Sequence, residues 1–127
     1  MTNILIIEDD PEAARILELS LKREQYKTIV ALNGTQGLIA VQTQQPDVVL
    51  LDLMMPDIDG YEVCRRIRAN PLTVELPIIV VSAKAQDADK QLAAQLGANG
   101  YLTKPYRRAD LLNMIQTCLP GPTQPTA

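Results

Sequence analysis

Histidine is absent from this 127-residue chain, and that absence removes more chemistry than any other feature of the composition. Without it there is no Ser-His or Cys-His dyad and no imidazole ligand for a metal. Any metal must be held by oxygen atoms, and any phosphohistidine must be brought by another molecule. Cysteine is nearly as scarce. Cys64 and Cys118 form no Cys-x-x-Cys pair, and in a reducing cytosol both read as small buried hydrophobes. Apolar runs are only a few residues long, against roughly 20 for a membrane span. Met1-Thr2-Asn3-Ile4-Leu5 lacks the charged start, apolar stretch and cleavage site of a signal peptide. There is no basic surplus: 12 Lys and Arg stand against 15 Asp and Glu, for a net charge of −3. A nucleic-acid surface needs the opposite balance. The expectation is a cytoplasmic protein that touches neither membrane nor, directly, nucleic acid.

What is present is an alternation. A chain of this size buries one sizeable core. Short apolar runs stand at 4–7, 28–32, 48–51 and 78–81, with a weaker one at 100–102. Continuous Ile- and Val-rich runs suit strands buried on both faces of a parallel sheet. Helical patterns fill the gaps. Asp10 is a candidate cap with Pro11 at the first helical position, and Ala13, Leu17 and Leu21 follow at four-residue spacing. Further helices are expected over 35–44, 60–68, 84–96 (stopped by Gly97) and 107–119 (stopped by Pro120). Five β-α units imply right-handed crossovers and an α/β doubly wound parallel sheet with helices on both faces. Residues 1–119 form the expected domain. Residues 120–127 are Pro- and Thr-rich and read as a disordered tail or linker stub.

Ligands of open α/β sheets sit at the carboxyl ends of the strands. Glu8-Asp9-Asp10 follows the first run, Asp52 the third, Ser82 closes the fourth and Lys104-Pro105 follows the fifth. Acids, a hydroxyl and an ammonium group thus gather from four places in the chain. Clustered carboxylates repel unless a cation sits among them, and a hard divalent ion such as Mg²⁺ takes oxygen ligands and shares them with phosphate. An Asp carboxylate then attacks phosphorus to form an aspartyl-phosphate, while Lys104 and Ser82 hold phosphoryl oxygens. Taken singly, each residue has a plainer role. Glu8, Asp9 and Asp10 suit a helix cap, Ser82 a turn, and Lys104 a solvated surface. Asp52 alone is harder to dismiss, because a charge closing a buried strand is costly.

The motifs Ile4-Leu5-Ile6-Ile7-Glu8-Asp9-Asp10, Leu51-Asp52-Leu53-Met54-Met55-Pro56-Asp57-Ile58-Asp59-Gly60, Pro77–Ala83, Gly97-Ala98 and Tyr101-Leu102-Thr103-Lys104-Pro105 resemble those of bacterial response regulator receiver domains, including the small chemotaxis regulator. The resemblance spans about residues 3–119. It implies a flavodoxin-like sheet of order 2-1-3-4-5 with five helices. It implies that Asp52 is the phosphoacceptor and that Asp9 and Asp52 bind Mg²⁺, helped by Glu8 through water and by the Met54 backbone carbonyl. Ser82 and Lys104 would grip the phosphoryl oxygens, with Lys104-Pro105 cis. Tyr101 would be the aromatic switch that turns inward as Ser82 moves, and the small Ala83 would leave room for it.

On this resemblance the chain is a stand-alone response regulator. It is a signalling phosphoacceptor that catalyses only its own phosphorylation and dephosphorylation. A sensor histidine kinase or His phosphotransfer protein would load it. The 84–119 face would then bind a downstream effector or a second copy, with Arg107, Arg108, Asp87, Asp89 and Asp110 as available charges. Met54 offers no hydrogen bond to orient an attacking water and Lys84 is a cation, so slow phosphoryl loss is expected. A pseudo-receiver that serves only as an interaction module is the alternative, and Asp9, Asp52 and Lys104 speak against it. A haloacid-dehalogenase-like phosphatase needs an acid where Met54 stands. Asp57-x-Asp59-Gly60 lacks the ligand series of a calcium loop and reads as a turn.

Overall fold

Val48 and Leu50 point to one side of a sheet and Val49 and Leu51 to the other, and all four are buried, as a strand covered on both faces requires. They belong to a computed structural model that describes residues 2–119. Its elements run β1 (Asn3–Ile7), α1 (Pro11–Arg23), β2 (Lys27–Ala31), α2 (Gly34–Gln44), β3 (Val48–Leu51), α3 (Gly60–Ala69), β4 (Ile78–Ser82), α4 (Asp87–Gln95), β5 (Gly100–Thr103) and α5 (Arg108–Cys118). The sheet is parallel throughout, in the order β2-β1-β3-β4-β5. The doubly wound architecture and its order are as the sequence led us to expect. The tail expected at 120–127 lies outside the described residues.

Two cores form, one on each face of the sheet. Ile4, Ile6, Val48, Leu50, Ile79 and Val81 pack against Leu17 and Leu21 of α1 and Leu111 and Ile115 of α5. Leu5, Ile7, Val49, Leu51 and Ile78 meet Val41 of α2 and Val63, Cys64 and Ile67 of α3. Burial pushes the Cys64 thiol up to about 11, as befits a core side chain. Cys118 is only half-buried, because it closes the last turn of α5 at the rim of its cluster. Among the described residues, no helix is long and apolar enough to cross a membrane.

Helix ends follow their local chemistry. Asp10 caps α1 by accepting from the Glu12 N–H at 3.0 Å, with Pro11 in the first turn. Asp59 caps α3 through the Glu62 N–H at 2.9 Å. Gly97, at φ +103°, lets the chain leave α4. The Arg68 guanidinium then clamps that turn, donating to the Gly97 carbonyl and the Asn99 side chain.

Most element boundaries fall within one residue of expectation, and the start of α4 is the exception. β2 begins and ends one residue earlier than the apolar run. Helix α4 starts at Asp87 rather than Lys84. The Lys84 N–H donates to Ser82 Oγ, and its carbonyl, which a helix would pair with the Ala88 N–H, accepts the Tyr101 hydroxyl from β5 instead. Arg108 is not free on the outer face either. It reaches α1 and pairs with Glu24 at 2.8 Å.

Candidate functional site

The strand order places β1 beside β3 with their next crossovers leaving on opposite sides, so a crevice opens at their carboxyl ends. The register fills that crevice. Ile7 pairs with Leu51, so Glu8 and Asp52 emerge side by side. Ser82 pairs with Thr103, so Lys104 emerges beside the end of β4. Glu8, Asp9 and Asp52 bring one carboxylate oxygen each to within 4.8 Å of one another. Lys104 Nζ lies 2.6 Å from Glu8 Oε1 and 3.1 Å from Asp52 Oδ2. Glu8, Asp52 and Ser82 are buried, whereas Asp9 is exposed at the mouth.

This arrangement divides the acidic triplet. Asp10 is the helix cap, and Glu8 and Asp9 are not, since both belong to the cluster with Asp52. Glu8 does more than the sequence suggested, because it is the nearer partner of Lys104. Burial pushes its carboxyl up to about 7, with the Asp52 charge adding and Lys104 opposing. The Lys104 ammonium is pushed up by Glu8 and Asp52, which outweigh its own burial. Three carboxylates to one ammonium leave the cluster short of positive charge, and its ligand atoms are all hard oxygens. That donor set suits Mg²⁺.

The loop after β3 is built to hold Asp52 in place. The Met54 N–H donates to Asp52 Oδ1 at 3.0 Å. Gly60 lies so close that a Cβ there would fall 2.6 Å from the Asp52 carbonyl oxygen and from Leu53 Cα, so only glycine fits. Met54 itself turns outward and is exposed. Tyr101 directs its hydroxyl onto the Lys84 carbonyl at 2.7 Å and packs beside Leu53, Val80 and Ala93. Ala83 is exposed next to Ser82, and the Lys104-Pro105 bond is cis. Lys84 is not simply solvated, for its ammonium lies 3.8 Å from Asp89 and over the Tyr61 ring.

Sequence reading missed Asp57. Its carboxylate accepts from the Gly34 N–H at 3.0 Å, the Thr35 N–H at 2.9 Å and the Thr35 hydroxyl at 2.7 Å. It thereby ties the loop after Asp52 to the start of α2. The Asp57-x-Asp59-Gly60 pattern signals a turn but cannot reveal partners 22 residues away. These bonds hold the Asp57 carboxyl well below the usual carboxylate range. Its stabilising effect is therefore complete above the ordinary aspartate value of about 3.9 and fades as pH falls below it. We expect Asp57→Ala to lower Tm at pH 7, with the gap to wild type narrowing below about pH 4. A gap independent of pH in thermal melts would show that the carboxylate charge is not what stabilises the junction.

Comparison with known proteins gives a consistent answer. The family model for the response regulator receiver domain matches residues 4–116. The response regulator ArlR of Staphylococcus saprophyticus is 41% identical over 119 residues, covering 94% of this chain and 53% of ArlR, so the chain spans about half the length of that relative. The receiver domain of the sensor histidine kinase PA1611 of Pseudomonas aeruginosa, which has a magnesium ion coordinated in its active-site cleft, is 34% identical. It superposes with a TM-score of 0.85 over 91% of this chain and 95% of that one. The chemotaxis protein CheY4 of Vibrio cholerae is 26% identical with a TM-score of 0.88, over 94% of this chain and 99% of that one. With its fold, its acidic cleft and these likenesses in agreement, the chain belongs to the response regulator receiver domain family of two-component systems.

Proposed function

We propose that Asp52 accepts a phosphoryl group from a phosphohistidine on a sensor kinase or phosphotransfer protein. One observation carries the reading. Asp52 closes a buried strand with the Glu8 and Asp9 carboxylates in reach and Lys104 at 3.1 Å. A carboxylate oxygen of Asp52 attacks phosphorus, a P–O bond forms, and the P–N bond to the donor imidazole breaks. The imidazole leaves with the electron pair and takes a proton from solvent.

Asp9 and Asp52 would hold Mg²⁺ directly, with the Met54 carbonyl as a further ligand and Glu8 acting through water. The ion would neutralise charge on the phosphoryl oxygens as they approach the acids. Lys104 holds one phosphoryl oxygen as a point charge and Ser82 donates to another. The product carries about −1.5 to −2 charges. That charge pulls on Ser82 and Lys104 and biases Tyr101 and the face formed by α4, β5 and α5 toward a partner-binding arrangement. Residues 1–119 suffice for this as one receiver unit.

Intact mass after incubation with acetyl phosphate tests the reading. One phosphoryl group is expected in Mg²⁺ and none in EDTA, and hydroxylamine should remove it as it removes acyl phosphates. A folded wild-type protein that gains nothing in Mg²⁺ overturns the proposal.

A further inference from the structure

Lys84 is fastened at four points. Its N–H donates to Ser82 Oγ at 3.3 Å and its carbonyl accepts the Tyr101 hydroxyl at 2.7 Å. Its ammonium lies 3.8 Å from Asp89 Oδ1 and 5.5 Å from the centre of the Tyr61 ring. The Tyr61 hydroxyl donates to the same Asp89 oxygen at 3.0 Å. Tyr61 stands on α3, Asp89 on α4 and Tyr101 on β5, so three elements hold one residue of the segment that follows Ser82. Burial and the Asp89 contact push the Tyr61 phenol up to about 12, so it remains a donor at neutral pH.

We propose that Tyr61 and Asp89 are positioning residues for phosphoryl transfer, acting through Lys84 on the Ser82 hydroxyl. This rests on the function proposed above. A serine hydroxyl has one hydrogen to give and two lone pairs to receive. The Lys84 N–H occupies a lone pair of Ser82 Oγ, which leaves the hydroxyl hydrogen to be donated. The Tyr101 oxygen is its acceptor at rest. Ser82 has no exposed surface, so a phosphoryl oxygen replaces Tyr101 as that acceptor only once Ser82 shifts toward Asp52, and the Lys84 N–H fixes the position from which it shifts. Holding the Lys84 ammonium between Asp89 and Tyr61 fixes where its N–H lies, which is how a contact remote from Asp52 reaches the reaction. Such preorganisation favours the transferring group over the ground state.

The test is the initial rate of phosphoryl uptake from acetyl phosphate at saturating Mg²⁺, followed by intact mass as donor concentration varies. Asp89→Ala should lower the saturated rate by about fivefold, a fraction of the hundredfold that a 1 Å misplacement costs. The half-saturating donor concentration and the Mg²⁺ affinity measured by calorimetry should stay at their wild-type values. Asp89→Glu should recover most of the rate. Lys84→Met should slow uptake as Asp89→Ala does, and the double variant should be no slower than either single one, because both cut the same tether. If Asp89→Ala does not fold, Tyr61→Phe decides the matter, since it keeps the ring and loses only the bond to Asp89; about a twofold slower rate is expected. Wild-type rates in these variants, or a loss of Mg²⁺ affinity that accounts for the slowing, overturn this inference alone. A wild-type protein that takes up no phosphoryl group overturns the proposed function and this inference with it.

Discussion

Asp52→Asn is expected to abolish phosphoryl uptake while leaving the protein folded. The amide oxygen still accepts the Met54 N–H that fixes Asp52 in the loop, so local geometry has no reason to change. What disappears is the anionic oxygen that attacks phosphorus in the proposed reaction, and with it one of the three carboxylates that face one another within 4.8 Å. Uptake from acetyl phosphate should fall below detection by intact mass.

Stability should respond in the opposite sense. Asp52 and Glu8 are buried neighbours of like charge, and the Asp52 charge helps to push the Glu8 carboxyl up. Removing that charge relieves the repulsion on Glu8 while Lys104 keeps its nearer partner, so in EDTA the variant should melt no lower than wild type. Added Mg²⁺ should then favour the wild-type protein. A ligand at ten times its dissociation constant stabilises by about 1.4 kcal/mol, and a site short of one carboxylate binds more weakly. A variant that still loads would move the phosphoacceptor elsewhere. One that melts well below wild type in EDTA would mean that the Asp52–Lys104 contact outweighs the repulsion.

Leu50→Ala should cost the most stability. Leu50 is 1% exposed on the central strand, packed within the cluster that joins α1 and α5 to the sheet. Its truncation removes transfer free energy and leaves a cavity that a β-strand flanked by two others cannot close. Comparable substitutions cost about 2–5 kcal/mol. Total stability of such a domain is about 5–15 kcal/mol, so the loss is a large share. Urea unfolding should show a lower midpoint with an unchanged slope, since the folded and unfolded surfaces stay similar. A loss under about 1 kcal/mol would show that neighbouring side chains collapse into the space.

Most of the elements were legible because each announces itself locally. Ile4–Ile7, Val48–Leu51 and Ile78–Val81 are too short and too uniformly apolar for surface helices, and their termini carry the acids and the hydroxyl that line the cleft. Helix α1 was legible from Asp10-Pro11 and the four-residue spacing of its leucines. The beginning of α4 was not. Its limit is set by Ser82 and Tyr101 claiming the Lys84 backbone, and Tyr101 lies 17 residues on. Arg108 read as a free charge on an outward face because its partner, Glu24, is 84 residues away.

The sequence by itself determined the alternating α/β fold, the end of the sheet where the acids, the hydroxyl and the ammonium group gather, and the exclusion of any imidazole from this chain's own chemistry. Periodicity, strand termini and the lack of a residue type are properties of the chain alone. The strand order came with the recognised motifs, not with the periodicity. Only the tertiary structure decided how the charged residues are shared out. It gave Glu8 to Lys104, Asp57 to the start of α2, and Asp89 to both Tyr61 and Lys84. A carboxylate's role depends on which donors lie within about 3 Å of it, and in a parallel sheet those donors arrive from distant crossovers that no local pattern encodes.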